Sequence, residues 1–213
     1  MYYLTGAVLR TDIRNNRYMF DVIFKIFRRL NSIYNSIKYN ACFVHIGQKV
    51  RIYSPLKIQG SKSIYIGDSS RIGDGTWLAS MPLTSSKPQL RIGSNVLIGH
   101  YNHIYCTGNI AIEDNVLTAD KVYISDNIHG YEDINCPIWK QPIRQLSQVR
   151  IGEGSWIGEN VCIIGASIGK HCVIGANAVV TKDIPDYSVA VGAPAIVIKS
   201  YNLETKRWES IKK

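Results

Sequence analysis

The chain of 213 residues is long enough to form one domain that buries a hydrophobic core without support from disulfides or a structural metal. Hydrophobic residues make up 46% of it and charged residues 19%, which argues against an intrinsically disordered chain and against a charged coiled coil. The net charge is +9, and residues 1–39 carry +5 of it, a basic segment that suits anionic lipid, phosphates or nucleic acid without choosing among them.

The N-terminal segment, residues 1–44, is predicted to be helical and separate from the main domain. Apolar residues recur between residues 18 and 39 at the spacing of one helix face, namely Phe20, Ile23, Phe24, Phe27, Leu30, Tyr34 and Ile37. We expect this helix to cap the open end of the repeat domain that follows. The alternative is contact with an anionic membrane, because helices that combine basic and aromatic residues bind anionic lipid. No secretory signal is recognised, and the apolar stretch 20–27 is too short to span a bilayer.

A period of six residues dominates residues 45–182. Such a period fits neither an α-helix nor a simple hairpin meander, and it predicts a parallel β-helix in which three hexapeptides close one triangular coil. Aliphatic side chains at six-residue steps would point inward and stack on their equivalents in the neighbouring coils. The steps are marked by Ile-Gly pairs, which begin at Ile46, Ile66, Ile72, Ile92, Ile98, Ile151, Ile157, Ile164, Ile168 and Ile174.

Two further features of the sequence indicate the corners of the coil. Four residues after the aliphatic position, a small or branched residue recurs that we expect to point inward, as at Val50, Thr76, Val96, Val116, Val122, Ser155, Val161, Cys172 and Ala178. The corner backbone needs a positive φ, which asparagine tolerates better than most residues. Asn95, Asn115, Asn160 and Asn177 fall at these corners.

The repeat is interrupted twice, and loops are predicted at residues 79–91 and 127–148. A third irregularity is the step from Ile163 to Ile168, which is five residues long. Solenoids accommodate such excursions at their corners, and functional residues concentrate in loops of this kind.

The C-terminal segment, residues 183–213, is predicted to leave the repeat. Its first part, IPDYSVAVGAPAIVIK, is typical of an extended strand, and the tail NLETKRWESIKK is predicted to form a short helix. Asn202 would cap that helix, and Glu204 would lie in its first turn, where an acidic residue is favourable.

The cysteines indicate the compartment. They are five in number and contain no Cys-x-x-Cys pair, which favours a reducing compartment and argues against a disulfide framework or a zinc site. We therefore expect a cytoplasmic protein, with a peripheral position at the inner face of the membrane as the alternative that the N-terminal helix would allow.

Three segments of the chain resemble the left-handed β-helix acyltransferases and, among these, the polysaccharide O-acetyltransferases. They are SDNIHGYED at 125–133, VRIGEGSWIGENVCIIGASIGKHCVIGANAVVTKDIPDYSV at 149–189 and VGAPAIVIK at 191–199. The resemblance covers residues 44–199. It implies an all-β fold, a left-handed parallel β-helix of hexapeptide repeats with a short helical N-terminal segment and an extended or helical C-terminal tail. It also implies a homotrimer with active sites in the clefts between adjacent prisms, and acetyl-CoA as co-substrate.

The same resemblance implies that His129 is the catalytic residue, at the end of an Asp-x-x-His signature that begins at Asp126. The chemistry needs a base, because a sugar hydroxyl attacks a thioester inefficiently unless its proton is removed. An imidazole, with an ordinary pKa of about 6.5, suits that task near neutral pH. Backbone N–H groups would stabilise the oxyanion, and transfer would be direct, without an acyl-enzyme. The alternative is that His129 is a solvated loop residue.

Candidate contacts for the acceptor and the cofactor are also carried over from the resemblance. The acceptor would contact Asp126, His100 and Asn102, and Asn102 fits equally well as a hydrogen-bonded internal residue. The indole of Trp156 would lie beside the thioester, with packing against the loop as the alternative. Two lysines would meet the nucleotide phosphates. These lysines are Lys182 and Lys199, and the remaining cofactor contacts would be Ala176 and Thr181.

The leading hypothesis is therefore acetyl transfer from acetyl-CoA to a sugar hydroxyl of a bacterial-type surface polysaccharide or its precursor. N-acetylation of a nucleotide-linked amino sugar is the alternative, because it would use the same base and cofactor. A non-catalytic β-helix that serves as a binding module is the second alternative. Zinc-dependent carbonic anhydrases of this fold carry a His-x4-His pair that the chain lacks, so no metal is expected. The basic charge comes without nucleic-acid-binding motifs, so no nucleic-acid partner is expected.

Overall fold

The chain begins with one long helix and continues in short strands. The computed structural model describes residues 5–211 and, within them, the side chains of residues 18–39 and 41–211. Helix α1 spans Thr5–Asn40, so the helix predicted over residues 18–39 is confirmed and extends further towards the N-terminus. In the described part of the chain, no helix has both the length and the apolar character that crossing a membrane requires.

Helix α1 lies against the first coils through polar side chains. Arg28 forms an ion pair with Asp74, and Ser36 Oγ donates a hydrogen bond to the Val50 carbonyl at 2.9 Å. The apolar residues that the sequence places on one helix face are exposed to solvent instead of packed against the coil, and they are Phe20, Ile23, Phe24, Phe27, Leu30, Tyr34 and Ile37.

The C-terminal end of α1 packs onto the core of the first coil. Tyr39 and Phe43 meet edge to face, with their ring centroids 6.0 Å apart; Phe43 belongs to the hydrophobic core, and the partly buried Tyr39 packs against it. Two turns earlier, Ser32 is fully buried and its hydroxyl donates to the Arg29 carbonyl at 2.8 Å. This end of the helix therefore lies against the core of the first coil.

The strands form three parallel sheets, and they are numbered here in chain order. The first sheet contains β1 His45–Ile46, β4 Ile64–Ile66, β7 Gln89–Ile92, β10 Asn109–Ile112 and β15 Val149–Ile151. The second contains β2 Arg51–Ile52, β5 Arg71–Ile72, β8 Leu97–Ile98, β11 Leu117–Thr118, β16 Trp156–Ile157, β18 Val173–Ile174 and β20 Ser188–Val191. The third contains β3 Lys57–Gln59, β6 Trp77–Ser80, β9 His103–Cys106, β12 Tyr123–Ser125, β17 Cys162–Ile164 and β19 Val179–Val180.

Two antiparallel additions complete the strand set. The strands β21 Ile196–Asn202 and β22 Arg207–Ser210 extend the second sheet beyond β20. The strands β13 Asn127–His129 and β14 Ile143–Gln145 form a separate hairpin. Short 3-10 helices span Ser61–Ser63 and Ile138–Lys140.

Because the chain visits the three sheets in turn and pairs with itself in parallel, the fold is the predicted β-helix of hexapeptide repeats. The six-residue step holds on two sides of each coil, as Ile92, Ile98 and Ile104 show on the three sheets in turn. The third side varies in length from coil to coil. Ile66 pairs with Ile92 and Ile92 pairs with Ile112, so the two successive coils contain different numbers of residues. All differences in coil length fall where the chain returns from the third sheet to the first. We call these connections the variable corner, and they are residues 60–63, 81–88, 107–108, 126–148, 165–167 and 181–183.

The core consists of the inward-pointing aliphatic residues that the repeat predicts. Side chains such as Ile72, Ile98 and Ile157 are buried, and each such burial is worth roughly 1.5–3 kcal/mol. The small or branched residues four positions later are all buried as expected. The predicted positive φ is also confirmed, at Asn95, Asn115, Asn160 and Asn177.

Both interruptions lie at the variable corner. The loop predicted at 79–91 is shorter in the structure, because its first residues belong to β6 and its last residues to β7. Residues 81–88 form the connection. The longer interruption contains the β13–β14 hairpin. At the short step before Ile168, Gly165 turns the chain with φ of 58°. Parallel pairing then continues past residue 182, because Ile184 bridges to Ile168.

The helix predicted over residues 202–213 is wrong for the part of the tail that the structure describes. Strand β22 pairs antiparallel with β21, and the Trp208 and Tyr201 rings lie 5.5 Å apart across the pair. The Asn202 side-chain oxygen accepts hydrogen bonds from the N–H groups of Glu204 at 2.9 Å and Thr205 at 3.1 Å, which closes the turn between the strands. An asparagine side chain can cap a helix or close a turn. Here the tail pairs with the edge of β21, so the Asn202 side chain closes a turn between two strands.

Candidate active site

A cleft of about 620 Å³ lies between the outer surface of the third sheet and the β13–β14 hairpin. Its volume falls in the range of small-molecule sites. The hairpin side includes His129. The lining side chains are Trp77, Leu83, His103, Tyr105, Tyr123, Asn127, Ile128, His129, Ile143 and Ile164.

One wall of the cleft is a column of rings on successive coils, at matching positions of β6, β9 and β12. Trp77 and His103 are in register and stacked, with centroids 4.2 Å apart and planes at 9°. His103 and Tyr123 are also in register, at 5.3 Å, and Tyr105 meets the His103 ring edge-on at 5.8 Å. We call Trp77, His103, Tyr105 and Tyr123 the aromatic column. It gives the cleft a largely apolar wall with polar atoms at the ring edges.

Two polar side chains hold Trp77 in place. Its indole N–H donates to Gln59 Oε1 at 3.1 Å, which fixes the ring from the preceding coil. The ammonium group of Lys57 lies 5.2 Å from the ring centroid, a cation–π distance. The rings of the column are therefore positioned by the strand ladder and by these neighbours.

His103 is partly buried within the aromatic column, which favours the uncharged form of its imidazole. Burial lowers its pKa below the ordinary value of 6.5. Its Nε2 atom is buried and has no hydrogen-bond partner within the described residues, so no group there favours the charged form. Burial also raises the pKa of Tyr105, with a further contribution from Tyr123.

The lowered pKa of His103 predicts a loss of stability in acid. The unfolded chain, with the ordinary pKa, binds more protons than the folded protein, so the free energy of unfolding falls as the pH drops from about 6.5 through the lowered pKa. We expect His103→Phe, which keeps a flat ring, to flatten this pH dependence in urea denaturation between pH 7 and 5. His171→Phe, at an exposed corner, should leave the slope as in the wild type. An unchanged slope in His103→Phe would contradict the prediction.

Asp126 anchors the base of the hairpin from inside the coil. The side chain is fully buried. Its carboxylate accepts hydrogen bonds from the backbone N–H groups of Thr107, Gly108 and Asn109, each at 2.8 Å. Burial, followed by the charge of Asp126, raises the pKa of the neighbouring Cys106 thiol to about 12. The geometry gives Asp126 a structural role at the variable corner, because its oxygens accept these bonds and a further one from Asn127 Nδ2. Its contact with an acceptor stays a prediction.

The hairpin then brings His129 to the cleft. Asn127 Nδ2 donates to the Tyr105 carbonyl at 3.2 Å, and Gln145 Nε2 donates to the Asp126 carbonyl at 2.7 Å. Strand pairing sets His129 opposite Ile143, with its side chain exposed. These hydrogen bonds fix the start of the hairpin, and the imidazole of His129 is accessible beside the aromatic column.

The expected acceptor contacts His100 and Asn102 lie elsewhere, at the corner between the second and third sheets. His100 Nδ1 accepts a hydrogen bond from the Asp74 N–H at 3.1 Å. Asn102 is buried, and its Nδ2 donates to the Ala119 carbonyl at 3.0 Å, as the internal alternative predicts. Neither lines the cleft, and His103 lies there instead. Alternation along β9 explains the difference, because Ile104 points inward and its neighbours therefore point outward.

The expected cofactor contacts are spread over the last coils. Trp156, 49% exposed, lies on β16, and Lys199 lies on β21, both in the second sheet. Ala176 lies at the corner between the second and third sheets, and Thr181 and Lys182 lie at the variable corner after β19. All five side chains are exposed. One copy of the chain therefore does not bring Trp156 and Lys199 to the cleft that holds His129.

No metal centre is built from the described residues. Within residues 5–211, no group of three or more His, Cys, Asp or Glu side chains is arranged to hold an ion. The two histidines of the cleft, His103 and His129, stand without a carboxylate or thiol among its lining residues. The arrangement suits acid–base chemistry by a side chain.

Comparison with known proteins finds relatives that are named as acetyltransferases. Residues 148–182 match the model of the hexapeptide repeat of succinyl-transferase. A Mycobacterium tuberculosis protein named "Probable acetyltransferase Rv3034c" is 35% identical over 98% of this chain, which spans 66% of that protein. The Escherichia coli protein named "Putative lipopolysaccharide biosynthesis O-acetyl transferase WbbJ" is 36% identical over 73% of this chain and 81% of its own length.

A solved structure shares the fold. It is AntD, an N-acyltransferase from Bacillus cereus, in complex with dTDP and 3-hydroxybutyryl-CoA. The TM-score is 0.66 at 21% identity, over 80% of this chain and 90% of that one. At this identity the likeness concerns the fold.

Proposed function

Because the chain belongs to the hexapeptide-repeat acyltransferases, we propose that it transfers the acetyl group of acetyl-CoA to a sugar hydroxyl of a bacterial-type surface polysaccharide or its precursor. Membership follows from the 36% identity with WbbJ over most of both chains, and it confirms the enzyme class expected from the sequence. The name of WbbJ, an O-acetyl transferase of lipopolysaccharide biosynthesis, supports oxygen as the receiving atom.

The observation that carries the proposal is the exposed His129 imidazole in a cleft bounded by the aromatic column. An acceptor ring lying against that wall would present its hydroxyl to an accessible base. The rigid anchoring of β13 through Asp126 and Asn127 supports this role, because a general base must be held within hydrogen-bond reach of the proton that it removes.

The reaction proceeds in one ternary complex. The acceptor hydroxyl gives its proton to His129 as its oxygen attacks the thioester carbonyl carbon, and the C–O bond forms. The carbonyl oxygen becomes an oxyanion that backbone N–H groups stabilise. When the tetrahedral intermediate collapses, the C–S bond breaks and the departing sulfur takes the proton back from the imidazolium. His129 returns to its starting state, and the products are an acetyl ester and free CoA.

The complete site requires a neighbouring copy of the chain. Trp156 and Lys199 lie on the second sheet, whereas His129 faces the cleft on the third. In a homotrimer of parallel prisms, the second sheet of one copy can face the third sheet of the next. That arrangement lets Trp156 and Lys199 of one copy hold acetyl-CoA against the His129 of a neighbour, whose own variable corner supplies Thr181 and Lys182. Ala176 lies at the corner between the second and third sheets, beside the same interface.

The state of the cysteines supports a reducing compartment, and we place the protein in the cytoplasm. The structure leaves each of the five as a free thiol, namely Cys42, Cys106, Cys136, Cys162 and Cys172. Free thiols persist where glutathione and thioredoxin keep them reduced.

N-acylation of a nucleotide-linked amino sugar is the second candidate, and the AntD fold favours it. The two functions share His129 and the cofactor, so the acceptor atom separates them. The WbbJ relationship is the closer in sequence, at 36% identity against 21% for AntD, and we therefore favour the hydroxyl.

The test is thiol release from acetyl-CoA with a panel of acceptors that includes simple glycosides, lipid-linked sugars and nucleotide-linked amino sugars. We expect release with hydroxyl acceptors and a product that mild alkali cleaves, because esters are labile and amides are stable under those conditions. Alkali-stable products alone would overturn O-transfer in favour of N-transfer. The absence of acetyl-CoA binding in calorimetry would overturn catalysis and leave the β-helix as a binding module.

A further inference from the structure

Helix α1 docks onto the β-helix with one side and presents an apolar surface on the opposite side. The docking side is polar, since Arg28 pairs with Asp74 and Asn31 Nδ2 donates to Ser54 Oγ at 3.1 Å. The opposite side, which we call the outer face, follows the three- and four-residue spacing of one helix surface. Its residues are between 37% and 69% exposed, and they are Met19, Val22, Ile23, Ile26, Phe27, Leu30, Ile33, Tyr34 and Ile37.

The charges of this helix lie off the outer face and are mostly basic. Between residues 18 and 39 the charged residues are Asp21, Lys25, Arg28, Arg29 and Lys38, which gives a net charge of +3. None of them falls at an outer-face position. The sequence before residue 18 adds Arg10, Arg14 and Arg17 against Asp12. A helix with one broad apolar face, a basic remainder and too little apolar length to cross a bilayer has the character of an interfacial helix.

We propose that the outer face of α1 lies in the interface of an anionic lipid membrane, with the β-helix held on the cytoplasmic side. The apolar side chains enter the boundary between head groups and acyl chains, and the positive charges of Lys25 and Arg29, which lie off the outer face, attract the anionic surface from a short distance. The docking bonds of Arg28, Asn31 and Ser36 stay intact in this arrangement, because they lie on the opposite side of the helix. The helix therefore lies between the bilayer and the β-helix.

A second copy of the chain fits this face less well than lipid does. Positions that flank the seam of a coiled coil usually carry charges that pair across it. Here the seam would be formed by Met19, Ile23, Ile26, Leu30, Ile33 and Ile37. The flanking positions on one side are Phe27 and Tyr34, so the apolar surface is wider than a two- or three-helix seam needs. Bringing several segments of net positive charge together also costs Coulomb energy, whereas an anionic surface attracts each of them.

The test is flotation of the full-length protein with vesicles of phosphatidylglycerol and phosphatidylcholine in equal parts, compared with phosphatidylcholine alone. We expect binding to the anionic vesicles and at least tenfold weaker binding to the neutral ones. The double variant Ile23→Gln with Leu30→Gln should weaken anionic binding by at least tenfold. Tyr18→Gln is the matched control, because Tyr18 is 73% exposed but lies seven residues before Lys25 on the polar side, and we expect a change below threefold.

A second variant keeps the test independent of the first. Lys25→Gln with Arg29→Gln leaves the outer face intact and should weaken anionic binding on the order of tenfold. The proposal is overturned if the wild type does not float with anionic vesicles, or if both double variants float as it does. It is also overturned if Ile23→Gln with Leu30→Gln changes the oligomeric state in sedimentation velocity while vesicle binding persists, because the outer face would then join copies of the chain. Acyl transfer to a water-soluble acceptor should be unchanged in every variant, so this result stands apart from the proposed reaction.

Discussion

Replacing His129 with alanine is expected to lower turnover at least 100-fold and to leave the affinity for acetyl-CoA unchanged. A general base contributes roughly 10²–10⁴-fold to such a reaction, because without it the hydroxyl must attack while still protonated. The side chain is exposed, so its removal leaves the fold intact. Thiol release at saturating acetyl-CoA measures the turnover, and calorimetry measures the affinity.

His171→Ala is the control for this result. His171 is exposed at a corner of the coil with φ of 49°, and its ring stacks on Tyr187 at 6.0 Å. It lies outside the cleft, so its turnover should stay within about twofold of the wild type. If His129→Ala keeps more than about a tenth of the wild-type rate, the base is a different group and the proposed mechanism is wrong.

Replacing Asp126 with alanine is expected to lower the free energy of unfolding by about 3–5 kcal/mol. The carboxylate accepts three backbone N–H bonds inside the protein, from Thr107, Gly108 and Asn109. Each buried donor left without a partner costs about 1–3 kcal/mol, and rearrangement of the corner recovers part of the sum. Urea denaturation at pH 7 measures the change.

Asp114→Ala is the matched comparison, because the Asp114 carboxylate accepts one backbone N–H bond, from Ser94 at 2.7 Å, at an exposed site. We expect that substitution to cost about 1 kcal/mol or less. Equal losses in the two variants would contradict the anchoring role of Asp126. Because Asp126 precedes His129 on the same hairpin, the folded fraction of Asp126→Ala should also turn over more slowly than the wild type.

Much of the β-helix was predictable, because its period is a property of neighbouring residues. A step of six between Ile92, Ile98 and Ile104 is visible in the sequence, and the inward direction of each follows from it. The positive φ of Asn95 was predictable for the same reason, since a corner recurs at a constant offset from the aliphatic position.

The site was predictable in part. His129 was found through the signature that surrounds it, and the structure places it in the cleft. His103 was missed although a signal was present: once Ile104 is known to point inward, alternation sends both of its neighbours outward. The sequence resemblance favoured His100 and Asn102 instead, and Asn102 lies in the interior.

The sequence by itself determined the repeat, the inward residues and the corners, because each of these depends on contacts at regular short spacing. It indicated the enzyme class through the three segments that resemble the acyltransferases. Tertiary structure alone decided which corner carries every insertion, which side of α1 meets the β-helix, and that the tail pairs as β22. These features depend on partners far away in the chain, such as Asp74 for Arg28 and the edge of β21 for the tail. The spacing of neighbouring residues does not predict which distant residue a side chain contacts. The exposed apolar face of α1 and the buried hydrogen bonds of Asp126 are therefore known only from the tertiary structure.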